Sequence, residues 1–246
     1  MAVGLRMDEE FDLPPPFDVF RLREREDAFA VACRRADECG AGSLFTVGRF
    51  DLLEFAVVLE PNEPLHTARR AFFVGMNALA DAIGAHAPPQ KPVSFVWPDV
   101  IRFDEARLGG ARLGWPADCA EDDVPAWLVF APMLIASKMQ GDEAGYTPDT
   151  TALDEEELDG GAPFLASFAR HLMFGLDLWA ARGFAPIAES YLASLKRDRA
   201  GDTLRLGDNG DLLIGNPVRK GEERYALLAG LAKADWFDAA KGAPRL

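Results

Sequence analysis

The sequence predicts a mixed α/β (α+β) protein, a largely antiparallel sheet packed by helices and followed by a small β-rich C-terminal unit. Three observations carry this. Two runs of β-formers, Ser43–Gly48 and Leu53–Glu60, are separated only by the connection Gly48-Arg49-Phe50-Asp51. Phe72, Met76, Leu79 and Ile83 recur at spacings of 4, 3 and 4, which draws one apolar helical face. Asn209-Gly210 lies between Leu204-Arg205-Leu206 and Leu212-Leu213-Ile214, a hairpin signal.

The elements follow in order. Residues 1–22 are a Pro-rich arm, because Pro14-Pro15-Pro16 forbids a helix and favours extended backbone. A helix is predicted from Glu24 to Cys39, stopped by Gly40 and Gly42. After the two strands, Pro61-Asn62-Glu63-Pro64 breaks the chain, and Pro88-Pro89 closes the Phe72–Ile83 helix. Short strands are predicted at Val93–Trp97, Val100–Phe103 and Leu108–Trp115. Trp127–Ala136 is apolar without alternation, as a central strand is. Residues 141–161 hold eight acids and no base, and read as a solvated loop or helix start. Leu165, Phe168, Leu172, Leu176 and Trp179 mark a long helix that ends at Gly183, with a shorter one from Phe184 to Leu195. Glu222–Leu228 is a candidate third strand of the terminal unit. The organisation expected is an arm (1–22), a main domain (23–199) and a small C-terminal domain (200–246).

Charge narrows the function. Twenty-six basic residues against 40 acidic ones leave a net −14, so neither nucleic acid nor an anionic membrane is an expected partner. No apolar run is long enough to span a bilayer and no secretory signal is present, so a cytoplasmic location is expected. Cys33, Cys39 and Cys119 have no metal or redox spacing and read as reduced thiols. His66, His86 and His171 are dispersed, with His171 read as structural, and no metal site is expected. There is no phosphate-binding glycine loop and no nucleophile elbow.

One stretch carries chemistry: Val96-Trp97-Pro98-Asp99-Val100-Ile101-Arg102-Phe103-Asp104-Glu105-Ala106-Arg107-Leu108-Gly109-Gly110-Ala111. It resembles the central motif of the biotin and lipoate protein ligases. That motif runs Lys-Trp-Pro-Asn-Asp, a strand, a polar turn, then Lys-hydrophobic-small-Gly. The distance from Trp-Pro to Gly-Gly matches without a gap. The flanking order also matches, so the resemblance covers roughly residues 24–195.

The resemblance implies a sheet related to class II synthetase catalytic domains and a ligase chemistry of acyl transfer, a protein modification. Biotin, lipoate or octanoate would be the ligand and ATP the activating co-substrate. The lysine of a biotinyl or lipoyl acceptor domain would take the acyl group. Bringing anions together requires a fixed cation and aimed N–H donors. The resemblance places Arg107 at the family's catalytic lysine. It implies ligand contacts for Arg49, Trp97, Asp99, Gly109, Gly110 and Arg112.

The departures are chemical. Arg107 keeps the charge but not the compact ammonium. Asp99 stands for the motif's Asn, Val100 for its Asp and Val96 for its first Lys. Only Gly48-Arg49 remains of the Gly-Arg-Gly-Arg adenylate loop, and Ala131-Pro132-Met133-Leu134-Ile135 replaces Gly-Ile-Gly-x-Asn. These changes point away from a standard ATP-dependent ligase.

Three readings follow: an acyl-transferring enzyme, a non-catalytic acid-binding module on the ligase scaffold, and an assembly factor acting through the acidic loop and C-terminal unit. Docking an acidic acceptor domain on so acidic a protein would need a local basic patch. Arg102, Arg107 and Arg112 supply one if they share a face, with Arg69-Arg70 as candidates to join it.

Overall fold

The computed structural model describes residues 11–88, 90–138, 147–197, 201–216 and 221–246. Residues 1–10 of the predicted arm, Pro89, and Asp142 and Glu143 of the acidic segment lie outside the described residues.

The chain enters through strand β1 (Asp18–Leu22), which pairs parallel with β2 (Ser43–Val47). For β1 the sequence predicts extended backbone but no strand. Its residues alternate too weakly to announce a partner, and only the edge of β2 supplies one. Helix α1 (Ala28–Cys39) links the two strands. It begins later than Glu24 because the Asp27 carboxylate accepts the Ala30 N–H at 3.0 Å and caps the first turn. Strand β3 (Leu52–Leu59) returns antiparallel to β2.

A single turn, α2 (Leu65–Ala68), leads into α3 (Ala71–His86). Then come β4 (Val93–Val96), β5 (Val100–Phe103), β6 (Ala106–Gly114) and β7 (Leu128–Ile135). The seven strands order as β1-β2-β3-β7-β6-β5-β4, antiparallel except at β1–β2. Strand β7 is central and buried along its whole length, as its unbroken apolar run predicts.

Helices α3, α4 (Ala162–Arg182) and α5 (Ala185–Ser194) cover one face of the sheet. The main core lies there, around Phe55, Phe72, Phe130, Leu134 and Phe168. Gly75 lets α3 settle on the sheet, since a Cβ there would stand 2.6 Å from the Phe130 ring. The opposite face packs α1 against Phe45, Val47, Ala56, Val58, Val129 and Ala131.

Residues 147–161 correct the expectation of a solvated loop. Thr150, Thr151, Ala152, Leu153 and Leu158 are buried. The acids are partly neutralised, with Glu155 on Lys138 at 2.8 Å and Glu156 on Lys91. The acids therefore punctuate an apolar segment that packs into the core.

Strands β8 (Thr203–Leu206) and β9 (Leu212–Gly215) form the expected hairpin, and β10 (Glu222–Tyr225) adds to it. The third strand stops short of Leu228. Asp211 accepts the Leu227 N–H at 2.8 Å, Leu227 turns into the core, and helix α6 (Leu227–Lys233) begins. The chain ends in a two-residue ladder, β11 (Phe237–Asp238) with β12 (Ala243–Pro244). Among the described residues, no helix is long and apolar enough to cross a membrane.

Candidate functional site

The motif folds as β4, a turn through Trp97 to Asp99, β5, and the first half of β6. Regular alternation would put Arg107 and Gly110 on opposite faces of the sheet. A β-bulge prevents this. Ile101 pairs with Gly109 while Arg102 pairs with Arg107, so Leu108 is the extra residue and turns into the main core. Arg102, Arg107, Gly110 and Arg112 thereby share the face opposite helices α3 to α5, with Met133 of β7 and Leu52 and Glu54 of β3. The three arginines have one more feature in common. The Nε of each is buried without a hydrogen-bond partner among the described residues.

Arg112 and Arg107 engage other donors of their guanidinium groups. Arg112 holds both oxygens of Asp27 at 3.0 and 3.2 Å and lies over the rings of Phe29 and Phe237, at 4.5 and 4.9 Å. Arg107 donates from Nη2 to the carbonyl of Arg245 at 2.6 Å. Burial, and then the Arg102 charge opposite, lower its pKa from the usual arginine value. Glu54, 2% exposed, accepts the Ala28 N–H at 2.7 Å, and burial raises its pKa.

Asp99 faces the same side from the motif turn. Its side chain is 3% exposed and accepts the indole N–H of Trp236 at 2.8 Å. Burial pushes its pKa up to about 7, although the Trp236 bond favours the ionised form. Its backbone carbonyl takes the Ala111 N–H at 3.0 Å, clamping the turn to β6.

The two glycines serve two approaches. At Gly109 a Cβ would strike the Met133 carbonyl of the adjacent strand. At Gly110 it would run into the Trp236 ring and stand 2.7 Å from the Asp99 carbonyl. Gly110→Ala should therefore destabilise the protein by roughly 1–3 kcal/mol. Urea denaturation measures this, and the loss should shrink in a Trp236→Ala background, where the ring no longer opposes the methyl.

Trp97 and Arg49 stand apart from this cluster. Trp97 stacks on Phe73 at 6.0 Å and meets Tyr191 edge-on at 6.2 Å. It lines a cavity of about 160 Å³ shared with Leu204, Leu212 and Ile214 of the C-terminal sheet. Tyr191, wholly buried, donates to the Pro98 carbonyl at 2.8 Å. Arg49 closes on Asp51 through Nε at 2.9 Å and Nη2 at 2.6 Å. Arg69 and Arg70 do not join the patch, for they pair with Glu121 and Glu63 beside α2.

ATP does not fit the residues present. Only residues 48–51 join β2 to β3, and the cation of that connection, Arg49, is closed on Asp51 rather than free to meet a polyphosphate.

Sequence reasoning missed Trp236, Phe237, Asp27 and Glu54. Asp27 ahead of an apolar helix is a readable cap. Trp236-Phe237 is an aromatic pair in a polar tail, and nothing local says where it lands.

A family model described as the biotin/lipoate A/B protein ligase family matches residues 13–193. The chain belongs to that family. Within the fold of this ligase family, a biotin protein ligase-like protein of unknown function from Silicibacter sp. TM1040 is 27% identical. It superposes with a TM-score of 0.75 over 90% of this chain and 99% of its own. The apo biotin protein ligase of Aquifex aeolicus has a TM-score of 0.64 at 14% identity, over 85% of this chain and 95% of its own. The same enzyme in complex with biotin and ATP has a TM-score of 0.59 at 14% identity, over the same shares. No curated protein matches the chain. The mixed, largely antiparallel sheet packed by helices is thus the ligase-family fold.

Proposed function

We propose that this protein binds a biotin- or lipoyl-type carboxylic acid on the arginine face of β5 and β6, without adenylating it by ATP. The supporting observation is the set of three buried Nε donors on one face, of Arg102, Arg107 and Arg112, without acceptors among the described residues. A carboxylate is the planar acceptor that a guanidinium fork matches. Gly110, having no side chain, presents bare backbone against which an apolar group can lie, as the Trp236 ring does. The chain's own residues would bind and orient the acid, with Arg107 as its principal cation.

Acyl transfer to an acceptor lysine needs an activated acyl group. The short β2–β3 connection, with Arg49 closed on Asp51, argues against making one here from ATP. A biotinyl or lipoyl acceptor domain remains the partner that the family suggests.

Millimolar biotin, lipoate or octanoate should raise the melting temperature by mass action, since ligand binds only the folded state. Arg107→Gln should remove most of that rise. Incubation with acid, ATP and an acceptor domain should yield no acyl-adenylate and no labelled lysine. Acyl-adenylate would refute the absence of adenylation. A melting temperature indifferent to all three acids would refute acid binding.

A further inference from the structure

The face assigned to the acid carries an occupant already, the chain's own C-terminal segment 234–246. Trp236 is 1% exposed, lies on Gly110 and donates to Asp99. Phe237 covers one side of the Arg112 guanidinium. The Arg245 carbonyl accepts from Arg107. The segment thus presents what an acyl acid would present there, an apolar group over Gly110 and an oxygen acceptor on Arg107.

It is also built as a separate piece. The Arg245 N–H returns to the Trp236 carbonyl at 2.7 Å, and the β11–β12 ladder closes it on itself. Its apolar anchor is a small satellite cluster of Leu52, Met133 and Trp236, distinct from the main core. Lifting it leaves Phe55, Phe72 and Phe130 packed. The lever has a defined pivot, since Ala234 ends α6 in left-handed backbone with φ 38°.

We infer that segment 234–246 is an autoinhibitory strap that mimics the acid and must lift from Gly110 and Arg107 before an acid can bind. The inference rests on the acid-binding reading above. An acid then meets a site competent only in the strap-open fraction, and its apparent affinity falls by that fraction. A partner that captures the lifted strap would switch the site on.

The test uses the full chain. Wild type and Trp236→Ala are titrated calorimetrically with octanoate, lipoate and biotin. Amide hydrogen exchange over 234–246 is followed in wild type with and without octanoate. Trp236→Ala should bind at least one acid about tenfold or more tightly than wild type, because the closed state is weakened. Octanoate should speed exchange at Arg245 in wild type. Equal affinities, or exchange that octanoate leaves unchanged while it binds, would overturn the strap and leave acid binding standing. Absence of binding to either form by all three acids would overturn both. Should Trp236→Ala fail to fold, the exchange measurement on wild type decides.

Discussion

Replacing Trp236 by alanine is expected to lower the free energy of unfolding by about 3 kcal/mol, the low end for deleting a buried tryptophan. The ring is all but inaccessible and packs on Leu52, Met133 and the bare backbone of Gly110. Its removal takes away transfer energy and leaves a hole that β6, clamped to Asp99, closes poorly. It also strips the Asp99 carboxyl of the indole donor. The low end applies because the strap covers the sheet from one side and relaxes into the gap. Urea denaturation near pH 6 measures the difference. A loss below about 0.5 kcal/mol, the scale of an ordinary surface substitution, would show that the strap is not seated as described.

Asp99 makes the second large prediction, a stability that falls as pH rises. Its pKa is raised by burial from 3.8 to about 7. Below pH 4 the carboxyl is protonated both folded and unfolded, and burial carries no charge penalty. Between pH 4 and 7 the unfolded chain releases a proton that the folded chain keeps, so each step upward favours unfolding. Above 7 the penalty is constant. A shift of this size corresponds to roughly 2–4 kcal/mol once local relaxation is allowed for. Asp99→Asn keeps an oxygen acceptor for the Trp236 indole and loses the charge. It should match wild type near pH 4 and exceed it by roughly 2–4 kcal/mol at pH 8. The difference between the two proteins is the informative quantity. Buried Glu54 shifts the same way, whereas the pKa values of Asp27 and Asp51 are lowered, and all three are common to both. Parallel stability curves for the two proteins across pH 4–8 would contradict the buried-acid assignment.

The two predictions meet in one contact. A neutral Asp99 accepts the Trp236 N–H in a dry pocket. An ionised Asp99 must either draw water under the strap or bear the desolvation cost. Its backbone carbonyl stays bound to Ala111 in either state, so the motif turn holds while the strap above it is the part free to respond.

Much of the fold was legible from local pattern. The unbroken run of β7 marks a strand buried on both faces, and the 4-3-4 spacing in α3 marks a helix laid on a core. The motif was legible too, since residue order and spacing are linear properties. Two things were not. The bulge at Leu108 puts Arg107 and Gly110 on one face, and it exists only as a register between two strands. The roof over the site comes from Trp236 and Arg245, more than a hundred residues further along the chain.

The sequence by itself thus determined helices α1, α3, α4 and α5, strands β2 to β10, the family resemblance and the shortness of the β2–β3 connection, because each depends on neighbours within a few residues. Tertiary structure alone decided that three arginines share a face, that Asp99 is buried deeply enough to hold its proton near neutrality, and that the C-terminal segment fills the face they make. Burial, pairing and occupancy are properties of distant segments brought together.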